Sequence, residues 1–291
     1  MNKQMMEGLD VSVVLGSLNR LEFLKTTIMT VRNELKEIDS SEIIVVDGGS
    51  CDGSIEWLIN QKDIILILQH NHGSWNGKQI KKQSWGYYMN LGFKSARYTN
   101  ILMISDDCLL IKDSIANGLR QINDIHKSGK PIGGLAFLWR HWPDWDKYGV
   151  AFFYNKAHLN HGIYLKKALE HVGYADETTY SFYAADVDLS FKLHEAGFPI
   201  IMANNSYLEH HNHVSKDYKD DNYSKRDREE EALLKKWSKV WGKEYFEKNI
   251  RWRREVVEYS DPLHTYKLFQ NTTLRVRQFS GFKKIIKKLG L

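Results

Sequence analysis

Two adjacent aspartates, Asp106 and Asp107, follow an apolar run over residues 101–104 that is typical of a buried β-strand. Carboxylate oxygens held rigidly at the end of a strand are the ligands that a divalent ion bridging two phosphates requires. Aspartates in this position are also common in turns and helix caps. The pair alone therefore leaves a metal site and a turn as alternatives, and its surroundings have to decide.

Four further polar residues follow the ends of two earlier apolar runs. They are Ser17, Asn19 and Arg20 after the first run and Asp47 after the second. The carboxyl ends of parallel strands meet at one edge of a sheet, where nucleotides bind, and a carboxylate there can accept hydrogen bonds from a base or a ribose. Asp47 also begins an Asp-Gly-Gly sequence typical of a turn. The set predicts a nucleotide site at this edge.

A third acidic position, Asp186, begins a helical pattern that Gly197 ends. A carboxylate at such a helix start is suited to act as a general base. It is equally suited to cap the helix and complement its dipole. Both roles stay open on the sequence alone.

Three histidines, His210, His211 and His213, follow a strand-like apolar run. Histidine is a common metal ligand, but this spacing matches no closed zinc pattern, and a histidine-rich loop is more typical of solvated surface. The sequence does not decide which of the three would bind a metal.

Alternating strand and helix patterns position these residues. Strands are predicted at 11–15, 42–46, 64–68 and 101–104, and helices at 21–35, 53–60 and 83–97. This alternation predicts an α/β fold with a mainly parallel, Rossmann-like central sheet, right-handed crossovers and flanking helices.

Residues 135–154 are rich in aromatics and lose regular periodicity. Trp139, Trp142 and Trp145 in this stretch can stack on sugars or pack beneath a long loop. Helical patterns return at 165–171 and 186–196, and the composition becomes strongly charged after His213. We therefore predict a catalytic domain over 1–214, with a nucleotide-binding half (1–107) and an acceptor half (108–214), and a charged helical extension over 215–291.

Composition narrows the class of protein. The 291 residues are 42% hydrophobic and 26% charged, as in ordinary soluble globular proteins. The net charge of +5 is concentrated after Lys267, so we expect no nucleic-acid partner. Two isolated cysteines, no leader and no apolar run of spanning length predict a cytoplasmic protein.

The C-terminal tail has an amphipathic pattern. Phe282, Ile285, Ile286 and Leu289 share one helical face and lysines the other. Such a helix either lies on an anionic membrane, which makes the protein peripheral on the inner face of the cell membrane, or docks on the catalytic body.

Other nucleotide-binding enzymes fit less well. A nucleotidyltransferase usually opens with a glycine-rich basic loop, and a dinucleotide-dependent dehydrogenase with G-x-G-x-x-G; neither follows the first strand. A non-catalytic protein that binds nucleotide sugars or an anionic surface remains the alternative to an enzyme.

Taken in order, the motifs resemble the inverting family 2 glycosyltransferases of the GT-A fold. The similar segments are the opening strand with Asn19 and Arg20, residues 43–54 (the family's VVDDGSTDGS, with Gly48 for the second Asp), residues 89–97 (N-x-G-x-x-x-A), residues 101–107 (a DxD-type strand, here Ser-Asp-Asp), residues 162–177 (the segment leading to the acceptor side) and residues 186–197 (ED-x-D-L-x-x-R-L-x-x-A-G). Ala185 and Lys192 depart from the last pattern, in place of an acidic residue and an arginine.

The resemblance implies a role for each site residue. Asp47 would contact a uracil-like base, Asp106 the ribose, Asp107 and His210 a Mn²⁺ or Mg²⁺ ion, and Asp186 would be the base. It implies transfer of a sugar from a nucleotide-diphosphate donor, with UDP favoured, to a hydroxyl of a glycan or lipid-linked acceptor in surface polysaccharide synthesis. Lys216 or Arg226 would close over the diphosphate. A homo-oligomer is left open.

Overall fold

The structure, a computed structural model, describes residues 9–38, 40–142, 145–211 and 216–259, with only the backbone of 142 and 216–224. His213, the side chain of Trp142, that of Lys216 and the predicted tail helix lie outside the described residues.

The first half of the chain alternates strands and helices as predicted. Its elements are β1 (Asp10–Ser17), α1 (Leu21–Leu35), β2 (Ser40–Asp47), α2 (Ser54–Leu58), β3 (Ile64–Leu68), the short hairpin β4 (Ser74–Trp75) and β5 (Lys78–Gln79), α3 (Trp85–Ser95), β6 (Asn100–Met103) and β7 (Cys108–Leu110). Strand β1 pairs in parallel with both β2 and β6, and β2 with β3. Helix α3 lies so close to the sheet that a Cβ on Gly92 would clash with Val14.

The second half extends the same sheet. Its elements are α4 (Ser114–Lys127), β8 (Gly134–Trp142), β9 (Tyr148–Phe153), β10 (Lys156–Ala157), β11 (Gly162–Leu165), α5 (Lys166–His171), α6 (Ala185–Glu195), β12 (Ile200–His211), α7 (Lys216–Trp241), α8 (Lys243–Lys248) and β13 (Arg253–Val257). The strand order is β10-β9-β8-β11-β6-β1-β2-β3. Strand β12 runs parallel to β8 and antiparallel to β7, and β13 pairs with β9.

The aromatic stretch 135–154 is not irregular, as the lost periodicity had indicated, because most of it forms β8 and β9. Leu135 and Phe137 of β8 pack in one hydrophobic core, while Ala136 and Leu138 pack in the other. A strand buried on both faces has no alternation of apolar and polar residues, and this hid β8 from the periodicity argument.

The histidine-rich segment is likewise a strand rather than a loop up to His211. The strand-like apolar run before the histidines is part of β12, which begins at Ile200 and has a register shift between Met202 and Tyr207 that breaks the alternation. His210 is consequently held in a sheet between β7 and β8.

Residues beyond the predicted boundary at 214 contact the catalytic body. Leu233 and Trp237 of α7 are buried against Val187 and Phe191 of α6. The Trp237 indole also donates to buried Asp188 over 2.7 Å. This segment thus supports α6, and the division at 214 stays a prediction. None of the helices in the described ranges is long and apolar enough to cross a membrane.

Candidate functional site

The acidic pair lies between β6 and β7 and is bridged by an arginine. Asp106 and Asp107 are each 3% exposed. Nη1 of Arg20 lies 2.9 Å from Oδ1 of Asp106 and 2.9 Å from Oδ2 of Asp107. Asn19, with a φ of 55°, turns the chain after β1 and brings Arg20 to this position. The arginine predicted for the nucleotide site therefore neutralises the carboxylates in this structure.

The pair has the electrostatics of a cation site. Burial and the charge of Asp107 raise the pKa of Asp106 to about 6, although Arg20 opposes both effects. Two carboxylates forced together repel each other, and a nearby positive charge relieves the repulsion. The pair is thus suited to hold a divalent ion.

Of the two described histidines in the predicted metal set, His210 is the one that faces this pair. Its Nε2 lies 3.3 Å from Oδ1 of Asp107. The ring of His211 packs instead against Phe23 of α1, with centroids 5.0 Å apart. Carboxylate oxygens suit Mn²⁺ and Mg²⁺, and the His210 imidazole lies close enough to Asp107 to bind the same ion, so the residues fit the ion that the resemblance implies.

The ends of β1 and β2 form one hydrogen-bonded unit at the same edge. Ser17 and Asp47 are register partners. The fully buried Asp47 accepts hydrogen bonds from the N–H groups of Gly49 and Ser50, at 2.8 and 2.7 Å, and from the Ser50 hydroxyl. The N–H of Asn19 donates to the same hydroxyl. Asp47 therefore organises its own turn, and its contact with a base stays a prediction.

Asp186 lies in the first turn of α6 and is paired with His158. Oδ2 of Asp186 is 3.1 Å from Nε2 of His158, and its Oδ1 accepts from the N–H of Val187. Burial raises the pKa of Asp186, but His158 and the backbone N–H groups of Asp186 and Val187 together outweigh this effect, and the net shift is downward. The carboxylate is ionised, and its side chain is 24% exposed, as a proton acceptor requires.

Sequence reasoning missed His158 and its neighbour His161. They lie in the four-residue connection between β10 and β11. His161 is 1% exposed, and its ring nitrogens lie 3.8 and 3.9 Å from Sγ of Cys108. The Cα atoms of His158 and His161 are at most about 11 Å apart, because three residues of extended chain reach no further. The connection therefore carries both the partner of Asp186 and a residue that contacts Cys108, the neighbour of Asp107 in the chain, and the spacing H-x-x-H was its only signal in the sequence.

Strand β12 is fixed in register by a second buried ion pair. The fully buried Glu209 accepts hydrogen bonds from Nε and Nη2 of Arg140, at 2.8 and 2.7 Å, and from the Tyr148 hydroxyl. Because Arg140 lies opposite Glu209 on β8, this two-point contact locks the strand that carries His210.

The tryptophans of the aromatic stretch pack rather than present open faces. Trp139 is 6% exposed and lies 5.2 Å from Trp145, centroid to centroid. The Trp145 ring is covered by the Arg254 guanidinium at 4.0 Å. These contacts favour the packing interpretation for both residues.

Comparison of the structure with known proteins identifies the fold. The 1–349 fragment of S. aureus TarS aligns with a TM-score of 0.51 and 15% identity over 68% of this chain and 60% of that one. The same fragment in complex with UDP-GlcNAc gives 0.53 and 14%, over 72% and 60%. The mannosyltransferase PcManGT from Pyrobaculum calidifontis, in complex with GDP-Man and Mn²⁺, gives 0.55 and 16%, over 79% and 63%.

The chain has the GT-A fold of these glycosyltransferases. It spans less than two thirds of the length of each of them. No family model and no curated protein matches the sequence. The predicted fold class, a GT-A α/β sheet flanked by helices, is confirmed.

In this GT-A fold the predicted residues form two groups. Ser17, Asn19, Arg20 and Asp47 lie at the ends of β1 and β2, and Arg20 connects them to the acidic pair. Asp186 lies on the other side of the 158–161 connection. The arrangement can hold a cation and a diphosphate in one group and activate a hydroxyl in the other.

Proposed function

We propose that this protein is a metal-dependent, inverting glycosyltransferase of the family 2 type. It transfers a sugar from a nucleotide-diphosphate donor, with UDP favoured, to a hydroxyl of a glycan or lipid-linked acceptor. The observations that carry the proposal are the ionised Asp186, paired with His158, and the buried acidic pair with an imidazole at 3.3 Å. The structural neighbours that were solved with UDP-GlcNAc, or with GDP-Man and Mn²⁺, support the donor class and the metal.

On the donor side, Asp107 and His210 hold the divalent ion, Asp106 contacts the ribose and Asp47 the base. The ion, when bound, neutralises charge on the departing diphosphate. Arg20 now neutralises both carboxylates. With a cation beside them its guanidinium can donate to a phosphate oxygen instead, a geometry for which arginine is well suited.

On the acceptor side, Asp186 removes the proton from the attacking hydroxyl. The oxygen forms a bond to the anomeric carbon as the bond from that carbon to the diphosphate oxygen breaks, and the proton passes to the carboxylate. Attack from the face opposite the leaving group inverts the configuration. His158 stabilises the ionised form of Asp186 before the reaction.

To test the proposal, the protein is incubated with a panel of nucleotide sugars and Mn²⁺. Its thermal unfolding is then measured, together with hydrolysis of each donor or transfer of its sugar. One donor is expected to stabilise the parent, by about 2.7 kcal/mol at a concentration of 100 times its Kd. Asp107→Asn is expected to abolish this stabilisation. Asp186→Asn is expected to retain it and to lose turnover. Asp124→Asn, at an exposed aspartate, is the matched control.

Two outcomes would contradict the proposal. If no donor stabilises the protein and both variants behave like the parent, the site is not a donor site. If a donor stabilises it but no turnover occurs with any acceptor, the protein is a non-catalytic nucleotide-sugar binding protein.

The cellular setting is part of the same proposal. We place the protein in the cytoplasm, in surface polysaccharide synthesis, with the basic tail on the anionic inner face of the membrane. Flotation with anionic liposomes, with and without residues 272–291, tests the membrane contact. Recovery of both forms in the unbound fraction would exclude it.

A further inference from the structure

One thiol and two imidazoles converge next to the acidic pair. Cys108 and His210 are register partners on β7 and β12, and His161 comes from the connection before β11. One ligand atom from each residue lies within 4.8 Å of the others. Cys108 and His161 are buried, while the His210 side chain is 19% exposed. The cluster therefore combines an enclosed interior with an open side.

The separation of two of these ligand atoms is close to that between ligands of one tetrahedral ion. With a zinc–sulfur bond of 2.3 Å and zinc–nitrogen bonds of about 2.05 Å, the sulfur and a nitrogen are about 3.6 Å apart. Sγ of Cys108 lies 3.8 Å from Nδ1 of His161. A fourth donor is adjacent, since Nδ1 of His141 is 3.0 Å from Nδ1 of His210.

An aromatic wall surrounds the imidazoles. The ring of Trp139 packs edge-on against His141, His161 and His210, with centroids 4.9, 5.8 and 6.0 Å away. This packing restricts the rotation of the rings and keeps water from one side of the cluster. Ligands fixed in this way lose less entropy when they bind an ion.

We propose that Cys108, His161 and His210, with His141 as fourth donor, form a binding site for a thiophilic divalent cation of the Zn²⁺ or Co²⁺ class. Sulfur and imidazole donors select such ions, whereas Mn²⁺ and Mg²⁺ prefer oxygen. On binding, the thiol of Cys108 loses its proton to solvent and the sulfur forms a bond to the ion. No oxidation or reduction is involved.

The site shares His210 with the donor site, and this has a functional consequence that rests on the proposed function. If the His210 imidazole binds Zn²⁺ through Nδ1, which faces His141, its proton stays on Nε2, and that nitrogen can no longer bind an ion at Asp107. Zn²⁺ at this site therefore opposes the donor binding that Mn²⁺ supports. The two cations act as antagonists through one side chain.

The first experiment adds Co²⁺ to the metal-free full chain and records the absorption spectrum. One equivalent is expected to give a near-ultraviolet thiolate-to-cobalt charge-transfer band and the intense visible bands of four-coordinate cobalt. Cys108→Ser is expected to remove the charge-transfer band. Cys51→Ser, at the exposed second cysteine, keeps it. His161→Gln is expected to weaken Co²⁺ binding at least tenfold and to retain the band.

The absence of the band in the parent, or its persistence in Cys108→Ser, would overturn the proposal. Far-ultraviolet circular dichroism shows whether each variant is folded, and the parent spectrum decides the question even where a variant is not. This experiment uses no nucleotide sugar, so its outcome is independent of the proposed function.

The second experiment tests the antagonism. Zn²⁺ is added to the parent with Mn²⁺ and the stabilising donor, and thermal unfolding is measured. Zn²⁺ is expected to lower the donor-induced shift in Tm in the parent and in Cys51→Ser, and much less in Cys108→Ser. An equal decrease of the donor-induced Tm shift in all three proteins would show that Zn²⁺ acts at another site.

Discussion

Nε2 of His158 lies 3.1 Å from Oδ2 of Asp186, and the same four-residue connection carries His161, which contacts Cys108. Burial alone would raise the pKa of the carboxyl, and the imidazole, together with two backbone N–H groups, reverses this shift. His158 therefore sets the pH above which Asp186 can accept a proton.

His158→Gln is expected to move the acidic limb of the kcat/KM profile to higher pH. The sign follows because the neutral amide no longer opposes the effect of burial, so the pKa of Asp186 rises and ionisation requires a higher pH. The measurement is the pH dependence of transfer in the parent, in His158→Gln and in His126→Gln, an exposed control. An unchanged limb would show that His158 does not tune the base.

Arg20→Gln is expected to lower the free energy of unfolding in the presence of a chelator. Addition of Mn²⁺ is expected to restore it. The substitution leaves Asp106 and Asp107 without their cation. Losing one partner of a buried pair costs about 3–5 kcal/mol, and we expect roughly 1–3 because the Arg20 side chain is 32% exposed. Thermal unfolding in EDTA and in Mn²⁺ measures both effects.

The control for that experiment is Arg97→Gln, since Arg97 is 67% exposed and 3.7 Å from Glu42. Exposed pairs contribute about 0–1 kcal/mol. A Mn²⁺-induced gain no larger in Arg20→Gln than in the parent would mean that the ion does not replace the arginine.

Arg140→Met is expected to destabilise the protein by about 3–5 kcal/mol, because it leaves the fully buried Glu209 without its counter-ion. The double variant Arg140→Met/Glu209→Leu should be more stable than Arg140→Met alone, since neither charge is then buried. Denaturant unfolding of the parent, both single variants and the double variant gives the coupling energy. Additive losses would show that the two side chains act independently.

Glu34 is expected to make stability fall as the pH rises through 7. Burial raises its pKa from 4.5 to about 7, despite hydrogen bonds from the N–H groups of Asp113 and Ile115. The folded state therefore binds the proton more tightly than the unfolded chain, and the stabilisation is complete below pH 4.5 and lost above pH 7.

The corresponding measurement compares the free energy of unfolding of the parent and Glu34→Gln at several pH values. Between about pH 5 and pH 8 the parent is expected to lose roughly 1–2 kcal/mol relative to the variant, after allowance for partial exposure. A difference that is constant with pH would contradict the raised pKa.

The sequence predicted elements well where one face of a helix is apolar or a short strand is clearly bounded. The helix predicted at 21–35 and the strand at 64–68 have those bounds in the structure. Periodicity failed for β8, whose alternate residues enter two different cores. It also failed for β10, which has only two residues.

The candidate site likewise has residues that the sequence could predict and contacts that it could not. Asp106, Asp107 and Asp186 could be found because each follows or begins an element that the sequence predicts. The pairing of Arg20 with Asp106 joins positions 86 apart, and that of His158 with Asp186 depends on a connection between short strands. Such contacts arise from tertiary packing, which no local pattern encodes.

The irregularity in β12 between Met202 and Tyr207 sets the register of the rest of the strand against β8. Downstream of it, Glu209 meets Arg140 and His210 meets Asp107. A slip of one residue in one direction would place Glu209 against the acidic pair, and a slip in the other direction would place His210 against the buried guanidinium of Arg140. A single insertion in the irregular stretch would therefore place Glu209 where His210 lies and abolish the site, although every side chain of the site is still present in the chain, so the function depends on the length of this stretch as well as on the identity of its residues.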